Sequence, residues 1–543
     1  MKQAFKIIWS CDPRGFISKL TLTVFVSLLP LANLYVLKVI VDTVTANIAS
    51  SVPFGAMMHE VVPAVALFCS VTLLSRIIGA LNNYNNEVLS QRLSDYVNTI
   101  IQKQSARLDM SYYDDPTFHD TLHRAQQEAS FRPVRIMENM VSLFGAVLSL
   151  AAVASMLFFA SWKIVLVMVV AVVPSLCARL YKSQKVYDFR RQTTQLQRRA
   201  SYYGALLTSR MYAKEIRTYG LSGYLRGRYE EIRTTLLEKL KKIARSLAVL
   251  DSLSALIEAA ALAVVLLALI APVVAGALTI GSFVMLFEAF RRGMGYLNSL
   301  VAAVGGLNEN RLFVNNLTEF MAMEPAIVSP DDAVAFPERV EVLEFRDITF
   351  AYPGMRSPLL SNFSFVARRG EVAYLEGENG FGKSTLLKLA LRLYDPQEGA
   401  VLINGVDIRR YNLSDLRRNV SALFQDYVNF YFTVRESVAF GDIHSADDAK
   451  RLEEALLLSG ADKVVEGLSN GLDTQLGRQF VGGEELSMGQ WQRVALARQL
   501  YSGSPVLLFD EPTAWMDGAA RERFAETLQK LCGEHVVIVV RHV

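Results

Sequence analysis

Six apolar segments precede residue 310 of this 543-residue chain, and they restrict its fold more than any other feature. A helix needs about 20 apolar residues to cross a bilayer, and each segment is close to that length. With 52% hydrophobic residues, the chain is predicted to be an integral membrane protein that contacts the lipid bilayer through six helices. The alternative is a set of buried helices in a large soluble protein. The segments are centred on residues 16–41, 61–81, 140–160, 164–180, 255–274 and 278–307.

The distribution of lysine and arginine indicates how these segments are oriented. Basic residues are concentrated in the polar stretch 179–245, whereas "TVTANIASSVPFGAMMHE" and "PVVAGALT" contain none. Because basic loops stay in the cytoplasm, we predict that both termini lie there. Two long polar excursions, after the second and fourth segments, are predicted to lie there too. This asymmetry favours membrane spans over buried helices, and the bacterial inner (plasma) membrane is the expected location.

Five ionisable residues lie within or near the apolar segments. Each would cost about 3 kcal/mol or more if it faced lipid at the bilayer centre. We therefore expect them to face a cavity or a protein partner, with Glu288 the candidate for contact with a transported molecule. They are Arg76, Glu258, Glu288, Arg291 and Arg292.

Charge and cysteine content argue against several other classes of protein. The formal net charge of +3 is too small to indicate nucleic-acid binding, and no nucleic-acid partner is expected. The four cysteines lie far apart without CxxC spacing, which argues against a metal site or a disulfide framework. The start "MKQAFKIIWSCDPRG" lacks the compact apolar core of a signal peptide, so no cleaved leader is expected.

The amino-acid composition and its pattern change after residue 322. Prolines and acidic residues in "MEPAIVSPDDAVAFPERV" indicate a linker. From Val342 onward, short apolar strands alternate with amphipathic helices, a pattern typical of an α/β fold with a mainly parallel sheet. We predict an α-helical six-span transmembrane domain over 1–322, a linker over 323–340 and an α/β domain over 341–543.

The stretch "LEGENGFGKSTLLKLAL" places three glycines and a lysine between a predicted strand and a predicted helix. Glycines let the backbone N–H groups turn inward, and the helix N-terminus adds a positive dipole end, so the turn suits polyphosphate. The spacing GxxxxGK[ST] predicts that Lys383 reaches the β and γ phosphates and that Ser384 ligates Mg²⁺. A chance match by a glycine-rich turn is the alternative. The predicted nucleotide-binding residues are Gly377, Glu378, Asn379, Gly380, Phe381, Gly382, Lys383, Ser384 and Thr385.

In "SPVLLFDEPT" an apolar strand ends in two carboxylates, Asp510 and Glu511. Ligands of a doubly wound sheet bind at the edge where its parallel strands end. We predict that Asp510 holds the Mg²⁺ shell and that Glu511 polarises an attacking water as the catalytic base. Simple solvation of a strand end is the alternative, and the nearby phosphate loop argues against it. The two motifs together predict that the α/β domain over 341–543 is a P-loop ATPase domain.

Between these motifs, "EELSMGQWQRVALARQLY" resembles the signature of the ATP-binding cassette transporters, which reads LSGGQ in that family. Leu486, Ser487, Gly489 and Gln490 match this pattern, while Met488 departs from it. In the family, two cassettes face each other head to tail, and each signature contacts the ATP held by the opposite chain. The resemblance therefore implies nucleotide-binding roles for Ser487, Gly489 and Gln490.

The resemblance implies roles for further residues. Tyr352 in "ITFAYPG" is similar to the aromatic residue that stacks on adenine, and Gln425 in "SALFQDY" to the glutamine between the metal site and the membrane domain. Asp517 in "AWMD" is similar to the aspartate of the interdomain loop. His542 in "VVIVVRHV" resembles the switch histidine at the γ phosphate, which makes it the second predicted catalytic residue. The predicted metal ligands are Ser384, Gln425 and Asp510.

The chain as a whole resembles an exporter half-transporter. This implies hydrolysis of ATP with Mg²⁺, alternating access, and export of an amphiphile such as a lipid, a peptide or a drug-like compound. It also implies a dimer, formed with a second copy or with a related half-transporter. The two excursions resemble the family's coupling segments, with residues 112–118 and 219–224 expected near tips that dock on the ATPase domain. Two alternatives stay open: an ATP-gated or regulatory membrane protein with weak hydrolysis, and one half of a heterodimeric exporter.

Four sites depart from the family pattern. Phe381 occupies a variable position of the phosphate loop and is expected to be harmless, whereas the Met488 side chain replaces a glycine and would crowd the opposing γ phosphate. Trp515 and Met516 enlarge the interdomain loop, and Arg541 stands where a serine is usual. We expect slower hydrolysis that is not abolished. Family members continue beyond His542, so a C-terminal truncation is also expected.

Overall fold

We describe the protein from a computed structural model, in which the described residues are 2–115, 118, 122, 126, 128–129, 131–160, 162–378, 380–514, 516 and 518–541. Contacts between Cα atoms divide the chain into two compact units. The first unit is Met1–Gln104 with Thr121–Ala322, and the second is Ser105–Asp120 with Met323–Val543. The short segment Ser105–Asp120 therefore groups with the C-terminal part of the chain.

Long helices make up the first unit. The helices before residue 322 build this unit, apart from the short α4 and the last three residues of α3, which belong to the second unit. In chain order they are α1 (Lys2–Cys11), α2 (Pro13–Ala49), α3 (Phe54–Arg107), α4 (Met110–Tyr113), α5 (Arg132–Ala160), α6 (Trp162–Thr208), α7 (Arg210–Thr218), α8 (Ser222–Val274), α9 (Ile280–Glu309) and α10 (Arg311–Met321).

The apolar helices agree with a membrane domain, although not every predicted span is both long and apolar enough to cross a membrane. Within the described residues, four helices are long and apolar enough to cross a membrane, in α2, α3, α5 and α8. A shorter apolar stretch, Trp162–Ala178, forms the start of α6. The sixth predicted segment, 278–307, corresponds largely to α9, which carries three charged residues near its middle. The structure therefore supports a helical membrane domain without fixing the number of spans.

Side chains from α2, α5, α6, α8 and α9 form the apolar core of the first unit. Its centre includes Leu34, Val153, Val265 and Phe290, all nearly inaccessible to solvent. Asp42, near the C-terminal end of α2, caps α9, because one of its oxygens accepts a hydrogen bond from the Gly281 N–H at 2.8 Å. A carboxylate at a helix N-terminus accepts a hydrogen bond from a backbone N–H that has no partner within the helix, and its charge interacts favourably with the helix dipole.

Most of the ionisable residues predicted in the spans pair with other polar groups. Glu288 accepts hydrogen bonds from Arg291, with the shortest contact at 2.8 Å, and Arg292 donates to the Pro30 carbonyl at 2.9 Å. Glu258 accepts from Ser175 at 2.6 Å and from Asn298 at 3.2 Å. Pairing of this kind lowers the cost of a charge inside a membrane domain.

The second unit contains eight strands and seven further helices among its described residues. The strands are β1 (Val342–Phe350), β2 (Leu360–Arg368), β3 (Val372–Glu376), β4 (Glu398–Ile403), β5 (Val406–Asp407), β6 (Val420–Leu423), β7 (Val506–Asp510) and β8 (Val536–Arg541). The helices are α11 (Lys383–Ala390), α12 (Leu413–Asn419), α13 (Val434–Ala439), α14 (Ala449–Ser459), α15 (Asp462–Glu466), α16 (Met488–Tyr501) and α17 (Gly518–Cys532).

The strands form two sheets, which corrects the prediction of one mainly parallel sheet. Strands in the order β3-β8-β7-β6 are parallel, but those in the order β2-β1-β4-β5 are antiparallel. The two sheets also differ in how their residues are buried, because the parallel sheet is covered on both faces and the antiparallel sheet has one open face. In β7 every residue is buried, as expected where both faces of a parallel sheet are covered. In β1 buried and accessible residues alternate over most of the strand, which is typical of an antiparallel sheet with one open face.

Candidate nucleotide-binding site

The parallel sheet brings most of the predicted nucleotide-binding residues to one edge. Because its four strands run in the same direction, their carboxyl ends meet there. The glycine loop 377–382 follows β3, and Gln425 comes two residues after β6. Asp510 ends β7, and Glu511 follows it. This edge is where a doubly wound sheet binds its ligand.

The glycine loop has the backbone shape that the motif predicts. Gly380 and Gly382 adopt φ values of +83° and +93°, which favour glycine. Gly382 caps α11, and a Cβ atom there would lie 3.0 Å from a Leu360 methyl carbon. Ser384 and Thr385 lie in the first turn of α11. Asn379 lies outside the described residues, so its predicted role stays a prediction.

Lys383 is folded back onto this loop. Its side chain is only 6% exposed, and its ammonium donates hydrogen bonds to the carbonyl oxygens of Gly377 and Glu378. Carbonyl oxygens are weaker partners for an ammonium than phosphate oxygens are. The loop therefore holds a cation at the place where the motif predicts the β and γ phosphates.

Tyr352 lies beside α11. Its hydroxyl group and the Thr385 hydroxyl group are hydrogen-bonded at 2.9 Å, and its ring packs edge-on against Phe350 and Tyr394. The Lys388 ammonium lies 5.5 Å from the centroid of the Tyr352 ring. These contacts fix the ring next to the phosphate loop, while stacking on adenine stays a prediction.

Glu511 has an unusual backbone conformation. Its φ of +48° lies in the left-handed region, which costs a non-glycine residue about 1–2 kcal/mol. One carboxylate oxygen accepts a hydrogen bond from the Gln425 amide at 3.0 Å, and the backbone N–H donates to the Val540 carbonyl at 3.3 Å. Strain of this size is typical of functional positions. Asp510, the residue before it, is 3% exposed.

The signature residues form the N-terminus of α16. Ser487 and Gln490 make a reciprocal capping box, in which the Gln490 N–H donates to the Ser487 hydroxyl and the Gln490 side chain accepts from the Ser487 N–H. Gly489 lies in the same first turn. Met488 is exposed, and its carbonyl accepts a hydrogen bond from the Tyr427 hydroxyl at 3.0 Å.

Several predicted residues at the end of the chain and in the interdomain loop cannot be placed. Trp515, Asp517 and His542 lie outside the described residues, so the predicted catalytic role of His542 stays a prediction. Arg541, which precedes it, places its guanidinium 3.8 Å from the centroid of the Tyr374 ring. This is a close cation–π contact between the last residue of β8 and the middle of the neighbouring strand β3.

The side-chain oxygen atoms at the sheet edge are suitable ligands for a hard cation. Ser384, Asp510 and Gln425 offer hydroxyl, carboxylate and amide oxygens, and Mg²⁺ prefers oxygen ligands. Among the residues that the structure describes, no group of three or more histidine, cysteine or acidic side chains could hold a metal by itself. Such a site suits a Mg²⁺ ion that shares its coordination with phosphate oxygens and water.

A second group of contacts, missed by the motif analysis, joins the segment Ser105–Asp120 to the rest of the second unit. The Tyr394 hydroxyl donates to an Asp114 oxygen at 2.5 Å, and the Tyr112 hydroxyl donates to the Glu324 carbonyl at 2.9 Å. Asp109 accepts from the backbone N–H groups of residues 326 and 327. Burial, followed by the bond to Asp114, raises the pKa of Tyr394 well above its usual value, so the phenol stays a donor.

These contacts agree with part of the docking prediction for the two excursions. Residues 112–115 and 118 group with the ATPase unit, whereas 219–224 belong to the first unit. The acidic aromatic run "MSYYDDPTF" is the signal that the sequence offered for the first of these. Nothing in the sequence identified Tyr394 as its partner.

An apolar helical unit joined to a unit with a P-loop and a strand-end acid pair defines the class of ATP-driven membrane transporters. Two family models match the chain: "ABC transporter transmembrane region" over residues 17–294 and "ABC transporter" over residues 360–514. The chain belongs to the ABC transporter family.

Relatives and a solved structure support this assignment over most of the chain. It is 25% identical to the subtilin transport ATP-binding protein SpaT of Bacillus subtilis, over 100% of this chain and 87% of the relative. It is 24% identical to the nisin transport ATP-binding protein NisT of Lactococcus lactis subsp. lactis, over 100% of this chain and 89% of the relative. An ATP-dependent lipid A-core flippase of Xanthomonas oryzae pv. oryzae (strain MAFF 311018) is 32% identical over 61% of this chain and 55% of the flippase.

The fold is similar to that of a bacterial Atm1-family ABC exporter solved with ATP bound. The TM-score is 0.83 at 20% sequence identity, covering 98% of this chain and 92% of the other. This likeness concerns the fold. The family match makes the protein an ABC transporter, an integral membrane protein that couples ATP hydrolysis to transport.

Proposed function

We propose that the protein exports an amphiphilic substrate, such as a peptide, a lipid or a drug-like compound, by alternating access. The relatives that span the whole chain carry the names of subtilin and nisin transporters, and a partial relative is a lipid A-core flippase. In this proposal six helices cross a bacterial inner membrane, and the ATPase domain and both termini face the cytoplasm. The transmembrane domain covers 1–322, the linker 323–340 and the ATPase domain 341–543.

ATP is proposed to bind along the edge of the parallel sheet. The observation that carries this proposal is the hydrogen bond from Gln425 to Glu511, at the same strand ends as the glycine loop. The Lys383 ammonium would exchange the carbonyls of Gly377 and Glu378 for phosphate oxygens. Because phosphate is charged, the new hydrogen bonds would be stronger than those they replace. Tyr352 would contact the adenine.

In the proposed hydrolysis step, Glu511 accepts a proton from the attacking water. The hydrogen bond from Gln425 orients the Glu511 carboxylate at the strand ends, where it would face the attacking water. Ser384, Gln425 and Asp510 would hold Mg²⁺, which offsets phosphate charge when it is bound. His542 is proposed to contact the γ phosphate, as its position in the family pattern implies.

Each ATP is proposed to lie between two chains, with Ser487, Gly489 and Gln490 supplied by the partner. Two copies of this chain are the proposed working unit. Exposed apolar side chains near the phosphate loop and near the signature support a surface for a partner chain, because covering apolar groups stabilises a complex. They are Phe381, Phe480, Val481 and Met488.

Uptake into inside-out vesicles tests the exporter proposal. Vesicles that contain the protein should accumulate a labelled peptide, lipid or dye when ATP is added, and vesicles with the Glu511→Gln variant should not. Equal uptake by both sets of vesicles would contradict ATP-driven export. Uptake by neither, with ATPase activity intact, would favour the regulatory alternative.

A further inference from the structure

An open cavity of about 370 Å³ lies in the first unit, and its lining is about equally polar and apolar. Its walls come from α2, α3, α5 and α9. The volume falls within the range of small-ligand pockets, about 300–1,000 Å³. Lining side chains with polar atoms include Lys19, Asn82, Asn83, Asn86, Glu138 and Tyr296.

Lys19 is the most unusual residue of this cavity. It is 5% exposed, and its ammonium donates a hydrogen bond to the Asn82 carbonyl at 3.2 Å. An ammonium has three donors, so Lys19 can bind further acceptors in the cavity. A buried charge in a membrane domain is costly and is typical of a functional position.

Glu138 provides the opposite charge in the same cavity. One of its oxygens accepts a hydrogen bond from the Asn86 amide at 3.4 Å. A carboxylate can accept several hydrogen bonds, so Glu138 also keeps capacity for a ligand donor. The cavity thus presents one ammonium and one carboxylate among its described lining residues, and these charges balance.

The remaining polar groups match a peptide better than a phosphate. Asn82, Asn83 and Asn86 each carry both donors and acceptors, as the backbone amide group does. Within the described residues, the side-chain oxygen of Asn82 is a buried acceptor without a hydrogen-bond partner, which a ligand N–H would satisfy. A phosphate group would gain from Lys19 but would be repelled by Glu138.

We propose that this cavity binds a short zwitterionic peptide segment of the exported substrate. Lys19 binds the segment's carboxylate, Glu138 binds its ammonium, and the asparagines pair with its amide groups. This inference rests on the proposed export function, because it identifies the class of substrate that the membrane domain recognises. It favours a peptide over an anionic lipid.

Peptide binding to the purified, nucleotide-free protein tests the proposal. The probe is a fluorescent short peptide of leucine and serine, prepared with free ends, with an amidated C-terminus or with an acetylated N-terminus. Lys19→Met should weaken binding of the free-ended peptide by about tenfold or more, because it removes a charge-assisted hydrogen bond. The same variant should change binding of the amidated peptide much less.

Glu138→Gln should weaken binding of the peptide with a free ammonium and spare the acetylated one. This substitution keeps the size of the side chain, and gel filtration checks that each variant is folded. Lys38→Met on α2 and Glu87→Gln on α3 are matched controls, because these residues do not line the cavity. Both controls should bind all the probes as the parent protein does.

Three results would overturn the assignment. One is equal binding of all peptides by the parent protein, and another is unchanged binding by both cavity variants. The third is competition by phosphatidate vesicles that becomes stronger in Glu138→Gln, which would identify an anionic lipid site.

If the peptide pattern holds but ATP drives no peptide uptake into inside-out vesicles, the cavity assignment stands and the export proposal fails. If uptake proceeds equally with Lys19→Met, the cavity assignment fails and export stands.

Discussion

At the scale of single residues, Glu511 combines a strained backbone with a hydrogen-bonded carboxylate at the end of a buried strand. We expect Glu511→Gln to retain ATP binding, since the amide keeps the shape of the side chain. Turnover should fall by roughly a hundredfold or more, the range for loss of a general base. Steady-state ATPase assays and nucleotide-binding titrations of the same preparation measure the two effects.

The control for this variant is Glu453→Gln, which changes an exposed acid on α14. It should hydrolyse ATP at the parent rate. If Glu511→Gln also kept the parent rate, Glu511 would not be the base, and the conformation at φ +48° would need another explanation.

Lys383 is buried against the carbonyls of its own loop, and its charge is the main attraction that the loop offers to phosphate. Lys383→Ala should weaken ATP binding itself by about tenfold or more, because a hydrogen bond between charged groups is lost. Direct titration with a fluorescent ATP analogue measures the dissociation constant. Lys450→Ala, an exposed lysine on α14, is the matched control. Unchanged affinity in Lys383→Ala would contradict the phosphate-loop assignment.

At the scale of elements, the contact between Tyr394 and Asp114 connects α4 to the ATPase unit. Tyr394→Phe removes the hydroxyl but keeps the ring that packs on Phe350 and Tyr352. Since a hydrogen bond to a charged group contributes about 1.5–3 kcal/mol, α4 should detach more often. We expect amide exchange in α4 to become about tenfold faster, measured by hydrogen–deuterium exchange with mass spectrometry.

Two comparisons check this prediction. Exchange in α14, which Tyr394 does not contact, should be the same in the variant and the parent protein. Tyr411→Phe removes another buried phenol, one that donates to the Ile403 carbonyl, and should leave α4 unaffected. Equal protection of α4 in Tyr394→Phe and the parent protein would show that this hydrogen bond does not hold the segment.

Local patterns predicted much of the fold. The apolar segments, the strand–loop–helix around Lys383 and the strand that ends at Asp510 all appear where the sequence predicts them. The antiparallel sheet was missed, although the alternation in "VLEFRDITF" is a signal for it. Contacts between distant parts of the chain carry no local pattern. Tyr394 and Asp114 are 280 residues apart, and Lys19 and Asn82 are 63 apart.

The same limit applies to the candidate sites. The phosphate loop could be predicted because its chemistry needs glycines and a lysine at fixed spacing. The membrane cavity could not, because Lys19 and Glu138 lie on different helices, and only packing brings them together. The run "NNYNN" after the second apolar segment was the one sequence signal of a polar wall, since it supplies Asn82, Asn83 and Asn86.

At the scale of the whole molecule, two exposed surfaces favour assembly with a second chain. The phosphate loop at the start of α11 and the signature at the start of α16 each leave apolar side chains exposed. A symmetric pair of chains would cover both surfaces twice, and such closed pairs are the commonest oligomers. We therefore expect the chain expressed alone to purify as a dimer with ATPase activity, as judged by its mass in detergent.

Mixed dimers test whether each site is shared between two chains. In a dimer of one Lys383→Ala chain and one Ser487→Arg chain, both substitutions fall in the same shared site, and the other site stays intact. A dimer of one doubly substituted chain and one parent chain carries the same changes, but each site then has one defect. With two affinity tags to isolate mixed dimers, we expect ATPase activity from the first pairing and almost none from the second, because the intact site exists only in the first. Equal activity in the two pairings would contradict shared sites, and an inactive monomer that gains activity only with a different subunit would replace the homodimer with a heterodimer.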